Sequence, residues 1–326
     1  MNESPEIPDL EDFSIGGKTP LAFEPGWPDG AHEFTRREAV AIQAALLSGR
    51  PLLIEGAPGS GKTQIAAAAA AVLRRELITF VVDVDTRPED LLWRHDALQR
   101  LNDAQDRSLK KIEHYLAKGP LWQALDDGEK HADIPPAQTP YRPTGVCEPG
   151  KVVLIDEIDK ADRGVPNSLL EVFGHRRFYC PHLKQEIEAP DTGETPPLLV
   201  IVTSNREQQL PPAFVRRCLV LRIDLPDERE AFIEQLARRA EMHYAKALDA
   251  DQYREIAEVL WNYRKDAGLS EELQPGQAEY LDLVRAIDGA LRQPAPRSFD
   301  ELLADMQGLA FDKSGRGDGA HGNGGG

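Results

Sequence analysis

GAPGSGKT, at positions 56–63, decides how this chain is read. Gly56, Gly61, Lys62 and Thr63 fill every fixed position of the phosphate-loop pattern G-x-x-x-x-G-K-[ST]. The run before it, Pro51-Leu52-Leu53-Ile54-Glu55, is short and apolar, as a buried strand is. The run after it, residues 64–73, is rich in alanine and favours helix. A strand, a glycine loop and a helix start aim several backbone N–H groups at one point. Phosphate oxygens are the natural occupants of that point. Gly59 and Gly61 let the backbone curl close to such a ligand with no Cβ in the way. Ala57, Pro58, Ser60 and the first helical residue after the motif, Gln64, complete the candidate phosphate-binding stretch. Lys62 supplies a point charge to the outer phosphates, and Thr63 offers its hydroxyl to a magnesium ion.

Composition narrows the class. A chain of 326 residues holds about two domains. Hydrophobic residues make up 41%, which suits a folded globular protein. No apolar run approaches the roughly 20 residues that cross a membrane. The first residues, MNESPEIPDLEDF, are acidic and lack a basic-then-apolar signal, so export is not expected. Three cysteines, an odd and small number, fit a reducing cytoplasm. A formal charge of −17 argues against a nonspecific grip on nucleic acid. A local basic pore in a ring would not register in that global count.

Along the chain, residues 1–28 are rich in Pro, Glu and Gly and read as an irregular leader. Thr35, with Glu38 three positions on, forms a capping box for a helix that runs to Leu47. LITFVVD (77–83), KVVLI (151–155), LLVIVT (198–203) and CLVLRI (218–223) are further strands. Residues 86–101 and 107–125 are expected as helices, the second broken at Gly119-Pro120, with Trp93 as core. Residues 131–150 read as loop, 167–173 as a short helix and 178–189 as a hairpin. His175, Cys180 and His182 lack a second Cys-x-x-Cys pair, so a hairpin with chance ligand types is preferred to a zinc site. Strands alternating with helices imply a parallel sheet. After Pro226 the strand pattern stops, and four helices follow. The expected architecture is α/β: a P-loop NTPase parallel sheet with helices on both faces over 29–226, then a small all-α lid over 227–312. A glycine-rich tail at 313–326 is expected to be flexible.

Two further constellations carry chemistry. VVLIDEIDK (152–160) sets two carboxylates just past an apolar strand. Asp156 reaches the sheet edge where a magnesium would sit, and Glu157 faces the space beyond the last phosphate, able to take a proton from water. IVTSNREQQLPPAFVRRC (201–218) ends a strand at Asn205, whose amide can orient that water. Arg216 and Arg217 follow a short Pro-started helix. Alone they read as surface charges; at a subunit boundary either could reach a phosphate bound next door.

GAPGSGKT, LIDEIDKAD, TSNREQQLPPAFVRRC and the helical C-terminal part together resemble a MoxR-type AAA+ ATPase over residues 30–312. TRPEDLLW and LPPAFVRRC point to the MoxR branch. The resemblance implies hydrolysis of ATP with Mg2+ in a homo-oligomer, commonly a hexameric ring, with nucleotide held between subunits. It implies Asp156 on the magnesium side, Glu157 polarising water and Asn205 as the first sensor. Arg217 matches the arginine-finger position best, with Arg216 as its rival. Arg297 in Pro296-Arg297-Ser298 resembles the lid sensor, with Arg292 as its rival. The implied partner is a protein, often one carrying a von Willebrand factor A domain; nucleic acid and membrane are not expected. The alternatives are a DNA-directed AAA+ motor or loader, which would need a basic helix or an added DNA-binding domain, and a nucleotide-gated scaffold with little turnover. The presence of both Glu157 and Asn205 disfavours the scaffold.

Overall fold

Five strands form the central sheet of the computed structural model, which describes residues 7–27, 30–126, 130–189, 197–244, 248–266, 274–294 and 297–311. They are β1 (Leu52–Gly56), β2 (Glu76–Val81), β3 (Lys151–Asp156), β4 (Leu199–Ser204) and β5 (Leu219–Ile223). Their spatial order is β5-β1-β4-β3-β2, and the ladders are parallel. Ile201 lies beside Leu52 on one side and Leu154 on the other. Neighbouring residues of a strand point to opposite faces. Leu52, Leu53 and Ile54 are nevertheless all fully buried, as are Val152, Val153 and Ile155. Both faces of the central strands are therefore covered, which explains why these strands are apolar runs without alternation. The register brings the ends of β1, β3 and β4 to one edge of the sheet, where ligands of open α/β sheets bind.

Helix α1 (Arg36–Ser48) starts as its sequence indicates. The Thr35 hydroxyl accepts from the Glu38 N–H at 3.2 Å, and the Glu38 carboxylate accepts from the Thr35 N–H at 2.7 Å. Helix α2 (Lys62–Leu73) buries Ala66 through Ala70 completely. It packs on the sheet and also against a two-stranded ribbon made by Thr19–Leu21 and Gly30–His32. That ribbon corrects the expectation of an irregular leader over residues 1–28. Phe13, in a 3-10 turn at Leu10–Phe13, is fully buried edge-on against Phe34 at 5.2 Å. Burial of such a side chain contributes about 1.5–3 kcal/mol, and Leu21 and Phe23 of the same segment are buried with it. Residues 1–6 of the leader lie outside the described residues.

Residues 86–125 also differ from expectation. Pro88–Leu91 is a 3-10 turn, Trp93–His95 a strand, and helix α3 spans only Ala97–Gln105. Trp93–His95 pairs antiparallel with Leu116–Lys118, and helix α4 (Pro120–Leu125) follows. A short apolar run such as Leu91-Leu92-Trp93 does not distinguish strand from helix by its spacing. The distant partner strand settles it. Trp93 is core: its ring stacks on Phe178 at 5.7 Å. Helix α5 (Gly164–His175) leads into the expected hairpin, Arg177–Cys180 against Gln185–Glu188. Among the described residues, no group of three or more His, Cys, Asp or Glu could hold a metal ion. Helix α6 (Pro212–Val215) is a single turn before β5.

The chain divides into two units, Met1–Gly56 with Gly61–Arg222, and Ala57–Ser60 with Ile223–Gly326. The second contains helices α7 (Arg229–Tyr244), α8 (Ala250–Asp266), α9 (Gln277–Leu291) and α10 (Phe299–Phe311). Phe232, Leu236, Tyr253, Leu260, Tyr280 and Val284 lie in its core. The Tyr280 hydroxyl donates to the Tyr253 carbonyl at 3.1 Å, and that of Tyr253 to the Tyr244 carbonyl at 2.7 Å, so these polar tips are satisfied. The expected tail at 313–326 lies outside the described residues. Among the described residues no helix is long and apolar enough to cross a membrane.

Thr35→Ala removes one half of the capping box at α1. Urea unfolding is expected to show a loss of about 1 kcal/mol, with the slope against denaturant unchanged.

Candidate functional site

The glycine loop leaves β1 at Gly56 and enters α2 at Lys62. Gly59 and Gly61 have φ of 70° and 92°, which side-chain-bearing residues rarely adopt. Ala57, Pro58 and Gly59 are exposed, and Gln64 is half-buried. The first N–H groups of α2 have no intrahelical acceptor, so the loop and helix start present donors to an anion. Ser60 is buried, and its hydroxyl has no hydrogen-bond partner among the described residues. A buried orphan hydroxyl inside a glycine cradle fits a phosphate oxygen as its acceptor. Lys62 is only 6% exposed, and its ammonium donates to the Gly56 carbonyl at 2.8 Å. Burial pushes its pKa down, against the opposing pull of Asp156, Asp159 and Glu157.

The acidic end of β3 is tied to the end of β4 by one hydroxyl. Thr203, fully buried, donates to Asp156 Oδ1 and accepts from the Glu157 N–H at 2.9 Å. Asp156 Oδ2 accepts from the Thr63 hydroxyl at 2.9 Å. Thr63 and Asp156, one neutral and one anionic oxygen in contact, fit the donor set of a magnesium ion that keeps several waters. Glu157 sits at φ 59°, a left-handed conformation that costs a non-glycine residue free energy. That turn separates its carboxylate from the strand direction. The Asn205 amide donates to Glu157 Oε1 at 3.1 Å, and Lys160 donates to Oε2 at 2.6 Å. Burial works to raise the Glu157 pKa, but these two donors outweigh it and the net direction is down.

Asp159 is 1% exposed and holds the turn that carries Asn205. It accepts from the Asn205 N–H at 3.2 Å and from the Glu207 N–H at 2.9 Å. Sequence reasoning passed over Thr203, Asp159 and Lys160. The one available signal was that LIDEIDKAD and TSNRE each carry extra polar residues immediately after an apolar strand.

Arg216 and Arg217, just after α6, are exposed, and neither side chain has a hydrogen-bond or ion-pair partner among the described residues. Arg297 is exposed and donates to Asp305 at 2.5 Å, while Arg292 pairs with Asp288 at 2.8 Å. Pro296, its neighbour in the sensor resemblance, is outside the described residues. Within the second unit, Arg239 donates to the Ser60 carbonyl at 3.2 Å and to Gln277 Oε1, a contact that sequence reasoning did not anticipate.

A parallel sheet in this order, with a glycine loop after β1, an Asp-Glu pair after β3 and an amide after β4, defines a P-loop nucleoside triphosphatase. Residues 51–218 match the AAA domain family, dynein-related subfamily, and the chain belongs to that family. It is 24% identical to midasin from Giardia intestinalis over 198 residues, which cover 59% of this chain and 3% of midasin. The chain thus spans a small fraction of that relative's length. A RuvB variant from Thermotoga maritima is similar in structure with a TM-score of 0.47 and 16% identity, covering 84% of this chain and 68% of that one. The RuvB Holliday junction branch migration motor of the same organism gives 0.44 and 15%, over 84% and 67%.

Thr203→Val deprives Asp156 of a donor and the Glu157 N–H of an acceptor. Urea unfolding is expected to show a loss of about 1–3 kcal/mol, and ATP turnover a fall of roughly tenfold or more. Lys160→Gln removes a cause that holds the Glu157 pKa down. The pKa then rises, less carboxylate survives at acid pH, and the acid limb of kcat/KM against pH is expected to move to higher pH.

Proposed function

We propose that this chain is a MoxR-type AAA+ ATPase that hydrolyses ATP to ADP and phosphate and uses the turnover to remodel a partner protein. The observation that carries the hydrolytic reading is the unbroken run of contacts Thr63–Asp156–Thr203–Glu157–Asn205. Lys62 and backbone N–H groups of the loop and helix start around it bind the triphosphate. Thr63 and Asp156 would hold Mg2+, whose charge offsets that of the β- and γ-phosphate oxygens. Glu157, kept ionised by Asn205 and Lys160, has one donor on each oxygen and retains lone pairs for a water O–H. It therefore orients a water for in-line attack and accepts its proton. Asn205 fixes where that carboxylate points.

In this reading the protein works as a homo-oligomer in the cytoplasm, a hexameric ring by family habit. Arg217, with Arg216 as the alternative, reaches the γ-phosphate of a neighbouring copy. Their side chains, exposed and without a partner among the described residues, support that role. Arg297 is the candidate nucleotide sensor of the helical unit, with Arg292 as its rival. The partner is a protein, with a von Willebrand factor A domain as the first candidate. The net charge of −17 speaks against nucleic acid as the substrate, and ATP turnover is expected to be unchanged by added DNA.

Glu157→Gln tests the assignment. Binding of ATP with Mg2+, followed by calorimetry, is expected to stay within about threefold of the parent, while turnover falls by about 100-fold or more. Turnover at the parental rate would remove Glu157 as the base. The same trapped form is the bait for the protein partner.

A further inference from the structure

Arg50 stands between α1 and β1, six residues before the end of that strand, and has no place in the nucleotide site described above. Its side chain makes three hydrogen bonds, all to one short stretch of backbone 166–168 positions away. Nε donates to the Arg217 carbonyl at 3.1 Å. Nη2 donates to the Arg216 carbonyl at 2.6 Å and to that of Cys218 at 2.9 Å. These carbonyls follow the end of α6: Arg216 is its C-cap, and Arg217 and Cys218 lie between it and β5. A planar guanidinium can serve three adjacent carbonyls, which a lysine ammonium on a flexible stem does poorly.

The backbone of this segment is held from other directions too. Phe214 is fully buried and Cys218 is 5% exposed. The N–H of Arg217 donates to the Phe214 carbonyl at 2.9 Å, and that of Leu219 to the Pro51 carbonyl at 2.9 Å. Between these anchors the side chains of Arg216 and Arg217 project with no partner among the described residues. A backbone fixed by these hydrogen bonds under two exposed guanidinium groups is suited to presenting charge to another molecule at a set place. Mispositioning a catalytic group by about 1 Å costs on the order of 100-fold in rate.

We propose that Arg50 is a positioning residue for the arginine finger: it locks the 216–218 backbone so that the finger reaches the nucleotide of the neighbouring subunit. The inference rests on the reading of Arg217 or Arg216 as that finger. Its consequence is specific. A subunit lacking Arg50 has an intact nucleotide site of its own and fails only its neighbour.

The test is subunit mixing of the full chain. Arg50→Gln alone is expected to lower kcat about tenfold or more, with the KM for ATP changed less than about twofold. Mixed with Lys62→Ala subunits, which lack ATP binding but keep Arg50 and both finger candidates, the Arg50→Gln subunits are expected to regain turnover. Arg217→Ala or Arg216→Ala should show the same recovery. Arg50→Lys, which keeps the charge but not the fork, is expected to fall between parent and Arg50→Gln, and it decides on the same readouts if Arg50→Gln does not fold. Parental kcat in Arg50→Gln would overturn the inference. So would a loss that Lys62→Ala subunits do not rescue while they rescue the finger variant. If neither Arg216→Ala nor Arg217→Ala loses turnover, or neither is rescued, the finger reading itself falls and this inference falls with it.

Discussion

One buried hydroxyl, that of Thr203, joins the two strands on which the chemistry depends. It donates to Asp156 and accepts from the N–H of Glu157, so a single side chain on β4 sets both acidic residues at the end of β3. Three things follow. The aspartate is turned toward Thr63 on α2. The glutamate backbone is held in its left-handed turn, which an isolated chain would avoid. The glutamate carboxylate then falls within reach of Asn205, two residues past Thr203 on the same strand end. The site exists because β4 lies between β1 and β3.

Charge around the loop is arranged in opposing pairs. Lys62 is surrounded by Asp156, Asp159 and Glu157, yet burial outweighs their attraction and its pKa is lowered. Glu157 shows the reverse balance, because direct donors from Lys160 and Asn205 overcome burial. On Glu157 the two donors add to the attraction of the Lys160 and Lys62 charges. A bound triphosphate would bring negative charge directly to Lys62 and favour its protonated form.

Membership of the AAA domain family rests on residues 51–218, the stretch that contains all of these parts. Outside it, the N-terminal ribbon covers the alanine face of α2, and the helical unit has a separate core closed by tyrosines with satisfied hydroxyls. The ribbon explains why an alanine run can be buried on every side without larger side chains: small residues let neighbouring backbone approach closely, and the gap is filled from both directions.

Much of this was legible in consecutive residues. The glycine loop, the five apolar strands, the Thr35–Glu38 box and the four late helices are local facts, since steric freedom, side-chain period and capping act over a few positions. The acidic pair and Asn205 were readable because each follows its strand directly. What the chain alone did not disclose lies in contacts made across long separations. Trp93–His95 is a strand because Leu116–Lys118 lies beside it, and the ribbon of Thr19–Leu21 with Gly30–His32 and the turn at Leu10–Phe13 form because α2 and Phe34 pack against them. Thr203 acts 46 positions from Glu157, and Arg50 acts 167 positions from the Arg217 carbonyl. Such pairings depend on which strands become neighbours and at what register, and only the folded sheet decides that.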